Sequence, residues 1–448
     1  MNDATMNVEG HAQRAWPSMV EHRPLRFAAT MILYFMQGVP VGLALLVFPA
    51  WFAANGASPV EIGAFIAFSL LPWSLKPFVG LLMDRYAYRP MGRRRAWILI
   101  AQACMVAVLA TLAVKGPGAT EIALIGTFCF ALNICAIFND VAVDGMTIDL
   151  VPVEERGAIN GCMYGSQTVG ISATGFLGGQ IVLTGGTPAT AAILAVVVAV
   201  PSLVVALFRE RPGERLMPWT SGRPSAECDA LQQDRWWPML KAVLRSLATV
   251  RIVAFLAASA LFTATWAQLD SVGPTLSVQV LGWSSDDFSN FASTATLAGG
   301  FMGIVATGFL IKWFGMVRVA TGLALILVVA ELIAGSTYSS WQGDTMFMMV
   351  FVVQIIAATL LSILMIAWGM MLTNRAIAAS QFALIMAIPN LGRSTMSGAS
   401  GPVIENFGYG ASYLVAAALT AAALALFLFA ARGHSPRDDP HELSDDGD

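Results

Sequence analysis

Apolar residues in this chain come in long runs, one after another, from Phe27 to Ala431. Each run holds about eighteen residues or more, enough for a helix rising 1.5 Å per residue to cross a hydrocarbon layer of roughly 30 Å. Of the 448 residues, 57% are hydrophobic and 12% charged, about half the charged share of a soluble domain. Lipid is therefore the solvent, and the fold class is an all-α membrane protein. The runs fall at 27–53, 60–82, 96–114, 122–150, 158–184 and 189–208, then at 252–281, 288–311, 319–335, 346–372, 381–404 and 413–431. The sequence thus predicts twelve transmembrane helices in two pseudo-symmetric bundles of six.

The longest polar stretch, 209–250, separates the two sets and reads as a cytoplasmic linker between an N-terminal bundle at 27–208 and a C-terminal bundle at 251–431. Residues 1–26 form an N-terminal tail, and the acidic, nearly apolar-free 432–448 is expected to be disordered. Basic residues stay on the cytoplasmic side during insertion. With the amino terminus inside, every one of the 25 Lys and Arg lies on that side except Lys115, outside, and Lys76 and Arg393, within spans. Both termini are accordingly cytoplasmic. The first apolar run is too long for a signal-peptide core and is read as a permanent span. The net charge of -3 lacks the concentrated basic face that nucleic acid requires. Five cysteines, an odd number mostly inside apolar runs, give no disulfide framework.

The halves echo one another. Gly80-Leu-Leu-Met-Asp84-Arg85 and Gly92-Arg93-Arg94-Arg95 follow the second span, while Gly308-Phe-Leu-Ile-Lys312-Trp-Phe-Gly315 and Arg318 follow the eighth. Related text at corresponding breaks is expected of transporters built from internal repeats. Spans three, six, nine and twelve are nearly uniformly apolar and are read as facing lipid. The other eight carry Gln37, Lys76, Asn133, Asn139, Asp140, Asp144, Gln167, Gln268, Asp270, Asn290, Gln354, Asn390 and Arg393, as expected of helices that face a wet cavity. Glu331, in the ninth span, is expected to snorkel toward the outer interface.

These features resemble the major facilitator superfamily, whose loop between spans two and three carries the pattern at Gly80, Asp84-Arg85 and Gly92-Arg93-Arg94. Within it, Lys76 before that loop, Asp140-Val-Ala-Val-Asp144 leading into Pro152-Val-Glu154-Glu155-Arg156-Gly157, and Asn374 with Ser380-Gln381-Phe382 and Gly392-Arg393 are similar to the AmpG permease branch, grouped with acetyl-CoA transporters. The resemblance implies a bacterial inner-membrane importer of anhydro-muropeptides driven by protons. Three positions depart from the branch pattern. Asn139 stands where Gln is usual, Thr147 where Lys is usual, and a Lys and Gly-Asp pair is missing near Thr263 to Gln268. Siderophores and other polar metabolites fit these departures as well as muropeptides do.

Asp140 and Asp144 are four residues apart, so both project from one helix face, with Thr147 on nearly the same stripe. Nine residues at 1.5 Å place Asp140 roughly 13 Å from the inner end of its span, at the depth of alternating-access sites. All four histidines lie in the tails, so an intramembrane proton carrier has to be a carboxylate, either Asp140 or Asp144; the alternative role is a permanent pair with Lys76. Arg393 reads as a ligand for a substrate carboxylate or as the partner of Asp270. Gln37 and Asn139 complete the expected solute and proton pathway. Asp84, Arg85, Arg93, Arg94, Arg95, Glu154, Glu155 and Arg156 are expected to latch the cytoplasmic side shut or to set topology. Trp73, Trp266 and Trp368 are candidates to stack on a sugar ring or to pack, and Gly38, Pro40, Gly42 and Pro274 mark kinks at corresponding helices.

The sequence thus reads as a proton symporter importing a small polar solute, with a monomer as the working unit, protons and the bilayer as its partners, and no cofactor or metal. An efflux pump and a non-transporting pigment-assembly factor share the same architecture. No His-rich cluster, nucleophile elbow or phosphate loop supports an enzyme.

Overall fold

A computed structural model describes residues 17–230, 241, 249–372 and 378–432. The expectations for the extreme tails, for most of the second half of the linker and for Asn374 lie outside the described residues, as do the side chains of Glu154, Arg156, Ser380 and Gln381. Twelve helical passes appear among the described residues. They are α1 (Arg23–Ala54), α2 (Pro59–Arg85), α3 (Arg95–Lys115) and α4 (Ile122–Leu150), then α5 and α6 within Val153–Val205, joined at Gly186. The second half repeats the order with α7 (Val250–Val280), α8 (Ser285–Phe314), α9 (Met316–Ser340), α10 (Thr345–Met371), and α11 and α12 within Ala378–Ala431, joined at Gly408. The alternation puts residues 86–94 and 206–230 on one face, here the charged face, and loops such as 55–58 and 282–284 on the far face.

The two halves repeat local chemistry as well as helix order. α2 and α8 both begin at a reciprocal capping box, Ser58 with Glu61 and Ser284 with Asp287, which satisfies amide donors that an apolar helix end would leave bare. In α1 and α7 a proline, Pro40 or Pro274, precedes a wide helical turn at Leu43–Val47 or Leu276–Val280. Proline lacks the N–H that would bond four residues back, and the chain adjusts with a locally widened turn. The α5–α6 and α11–α12 corners each turn on a glycine with positive φ, 63° at Gly186 and 79° at Gly408, a conformation a Cβ opposes.

Within each bundle one helix pair approaches too closely for a side chain. A Cβ on Gly170 of α5 would lie 2.1 Å from the Phe35 carbonyl oxygen of α1, and one on Gly392 of α11 would lie 2.4 Å from that of Ala260 on α7. Between bundles, tight contact is concentrated in the far half. There Gln279 donates to the Ala53 and Ala57 carbonyls, Ser289 to Leu46, and Ser394 to Ala67, and a Cβ on Gly401 would meet the Pro59 carbonyl at 2.5 Å. One continuous apolar core accordingly fills the N-terminal bundle and extends through the far half of the other, to Phe288, Phe347 and Tyr413. A separate core from Ala254 to Ala430 fills the charged-face half of the C-terminal bundle. The bundles are thus joined at the far face and separate toward the charged face. Each joining hydrogen bond contributes only about 1 kcal/mol, beside the apolar contacts of the shared core.

Lipid-facing positions carry the large exposed apolar side chains, among them Val114 of α3, Leu203 of α6 and Val329 of α9. Alanine at Gly170 and at Gly401 should have different effects. Gly170→Ala forces apart helices of one bundle and should cost about 1–3 kcal/mol of thermal stability. Gly401→Ala should leave stability near wild type and raise labelling of a far-face cysteine by an impermeant thiol reagent; unchanged labelling would mean the α2–α11 contact does not hold that face shut.

Candidate solute site and charged-face cluster

A cavity of about 550 Å³ lies between the bundles and reaches the charged face, where exposed Asn160, with Asp84 and Arg94, lines its mouth. Its inner wall brings together Tyr34 of α1, Trp73 and Lys76 of α2, Asp140, Asp144 and Thr147 of α4, and Arg393 of α11. The four-residue spacing sets both aspartates on one stripe of α4, facing α1 and α2. Lys76 Nζ lies 2.5 Å from Asp140 Oδ2 and 5.0 Å from the centre of the Trp73 ring. The Tyr34 hydroxyl donates to Asp144 Oδ1 and lies against Asp140 as well. Two carboxylates are thus served by one lysine and one phenol, and with both aspartates ionised the cluster holds one negative charge too many.

Across the cavity Arg393 grips Asp270 of α7 with two parallel hydrogen bonds, both 2.8 Å long. The guanidinium keeps an edge on the cavity, 27% exposed, so it can meet a ligand without first leaving its partner. Trp266 joins Trp73 in the lining, whereas Trp368 packs on Phe427 in the second core. Three expected pathway residues do not line the cavity: Asp270, which stands behind Arg393, and Gln37 and Asn139. Gln37 is buried and accepts from Gln167, whose side chain does line it. Asn139 turns toward α1 and α3, donating to the Leu33 carbonyl and accepting from Gln102. Glu331 does not snorkel; it is wholly buried in the C-terminal bundle. Tyr34 is not marked by the sequence, because a tyrosine within an apolar run counts toward hydropathy and its partner Asp144 lies on another helix.

At the charged face Asp84 binds Arg94 at 2.5 Å and Arg93 at 3.2 Å, and Arg93 also reaches Asp149 of α4. Arg95 donates to the carbonyls of Ala206 and Leu216. The backbone N–H groups of Arg93, Arg94 and Arg95 converge on Glu210, at the start of the linker. Glu155 instead pairs with Arg23 and Arg26 of α1, and the Arg26 guanidinium holds its carboxyl below the usual range. All these contacts stay within the N-terminal half and the linker. Burial and the neighbouring Glu210 raise Glu214 to about 7, and burial also raises Glu210.

A family model described as Major Facilitator Superfamily matches residues 30–360. The chain belongs to the Major Facilitator Superfamily. Within this family it resembles AmpG-like permeases. The anhydromuropeptide permease of Escherichia coli (strain K12) is 24% identical over 431 residues, covering 90% of this chain and 79% of that protein. A putative transporter, AmpG 4, of Rickettsia felis is 22% identical, covering 90% and 96%. Among solved structures, a POT family transporter in complex with a thioalcohol-conjugated peptide superposes with a TM-score of 0.66 at 13% identity, covering 91% of this chain and 95% of the other. The protein is therefore a multi-pass membrane transporter of small solutes.

Two predictions come from these contacts. Asp270→Asn leaves Arg393 without its counter-ion; loss of a fully buried pair costs about 3–5 kcal/mol, and partial hydration of Arg393 should bring the measured loss below that range. The double variant Asp270→Asn with Arg393→Gln should recover part of it in thermal unfolding. For Glu214 the folded value lies above the ordinary carboxylate value of 4.5. Its protonation therefore stabilises the docked linker fully below about 4.5, and that stability is lost as pH rises through about 7. Protease cleavage of the linker should increase across this window in the wild type and show a smaller pH slope in Glu214→Gln.

Proposed function

We propose that this facilitator is a proton symporter importing an anionic, sugar-containing solute of the muropeptide class across the bacterial inner membrane, with the charged face and both termini cytoplasmic. Residues 27–208 and 251–431 are then the two rocking bodies, 209–250 their cytoplasmic connection, and Asp84 with the Arg93 to Arg95 run the charged-face gate. The observation that carries the reading is the charge count at Tyr34, Lys76, Asp140 and Asp144. In a low-dielectric wall the excess negative charge favours uptake of one proton. A proton on Asp140 releases Lys76, and a solute carboxylate can then take its place. Placing that proton on Asp140 rather than Asp144 is unfavourable until a solute carboxylate meets Lys76, since a buried partner left unpaired costs several kcal/mol. The interdependence is the coupling.

Trp73 and Trp266 supply apolar faces for a sugar ring, and Arg393 a second anion contact. The cavity falls within the roughly 300–1,000 Å³ of small-molecule sites. The resemblance to the Escherichia coli permease supports the muropeptide class.

Asp140→Asn should lower uptake of labelled anhydromuropeptide by proteoliposomes under an imposed pH gradient at least roughly tenfold, a change of about 1.4 kcal/mol in coupling, with normal protein yield. Asp144→Asn should do the same. Wild-type uptake in both variants would remove the pair from coupling, and absence of uptake by the wild type would reject the solute class.

A further inference from the structure

Glu331 belongs neither to the cavity nor to the charged-face cluster. It lies on the inward side of α9, at 0% exposure, and its two oxygens meet only neutral donors. Gln354 Nε2 of α10 is 3.2 Å from one, and Thr420 Oγ1 of α12 is 3.0 Å from the other. Thr420 continues to Thr265 of α7 at 3.1 Å and to the Ala416 carbonyl at 3.0 Å, while Thr265 donates to the Leu261 carbonyl.

The elements packed around Glu331 bring no cation to it among the described residues. α7 contributes Asp270, already bound by Arg393 of α11. The described part of α10 has no ionisable side chain. α12 contributes Tyr413, buried and within electrostatic reach of Glu331, with Tyr409 and Tyr338 of α9 in the same aromatic group. An ionised carboxylate here would be a lone buried charge, which costs far more than a buried neutral acid.

Hydrogens point the same way. The hydroxyls of Thr420 and Thr265 offer two hydrogens to four close oxygen contacts, those with Glu331, Ala416, Leu261 and each other. A proton on Glu331 supplies a third, donated to Thr420, which then turns its own hydrogen to the Ala416 carbonyl. Sodium is a poorer occupant, because Gln354 presents its nitrogen to the carboxyl and hard cations take a shell of oxygens.

We infer that Glu331 is a proton-binding site of the C-terminal bundle, separate from the Asp140–Asp144 cluster and loaded when the cavity reaches the charged face. The proton ties lipid-facing α9 and α12 to α7 and α10, which line the cavity. Its loss leaves an anion without a counter-charge and loosens that half.

The test is infrared spectroscopy and thermal unfolding of the full-length protein in nanodiscs, in sodium-free buffer. At about pH 6, the wild-type minus Glu331→Gln difference should show the carbonyl band of a protonated, deuterium-sensitive carboxylic acid. That band should persist in an Asp140→Asn background, which separates this site from the proposed coupling pair. The wild-type Tm should fall between about pH 6 and about pH 9, and that of Glu331→Gln should stay flatter. A carboxylate band alone, equal pH slopes, or a sodium-dependent rise in Tm confined to the wild type would each overturn the assignment. If Glu331→Gln does not accumulate, Thr420→Val keeps the carboxyl and removes its hydroxyl partner. The acid band should then move to higher frequency, and an unmoved band would equally overturn it.

Discussion

A carboxylate placed in hydrocarbon must find a cation, a proton or water, and much of this protein's interior is arranged around that requirement. Two aspartates one helical turn apart on α4 share a single lysine on α2 and a single phenol on α1. Isolated, each would destabilise the span that carries it. Together they form an unbalanced cluster beside a cavity, and the imbalance gives a proton something to do. The pair across the cavity, Asp270 with Arg393, is balanced and bidentate. It can hold its geometry while presenting one edge of the guanidinium to a ligand.

The repeated architecture gives these groups two rigid walls. Glycine contacts lock α1 to α5 and α7 to α11 within the bundles, and the far-face junction between them combines a shared apolar core with glycine approaches and a few single hydrogen bonds. Stiff bodies that meet at one face and part toward the other are the form alternating access takes. The wide turns after Pro40 and Pro274 fall at the far ends of α1 and α7, beside the junction that has to part.

The span count was legible in the sequence, and two of the buried pairs, Lys76 with Asp140 and Arg393 with Asp270, were among its alternatives, because each follows from a strong penalty. An apolar run must span, and a charge at bilayer depth must pair. Azimuth was less legible. Asn139 adjoins Asp140 in sequence yet lies about 100° around the helix, and so bonds to α1 and α3 rather than lining the cavity. Glu331 was misplaced for a related reason. A span written for lipid still has an inward face, and there neutral donors of α10 and α12 shelter a carboxyl. Glu210 was invisible as a partner of the Arg93 to Arg95 backbone because it is more than a hundred residues away in sequence. Only folding brings the linker onto that helix end.

In the proposed cycle the bundles exchange open faces under joint control of a proton and an anionic solute. Double electron–electron resonance between spin labels at Tyr88 and Trp313, both exposed near the charged face, in a cysteine-free background reads that exchange. The distance should be long and should shorten when anhydromuropeptide is added in acid, and much less when either is supplied alone. A single distance, unmoved by proton and solute together, would contradict the cycle.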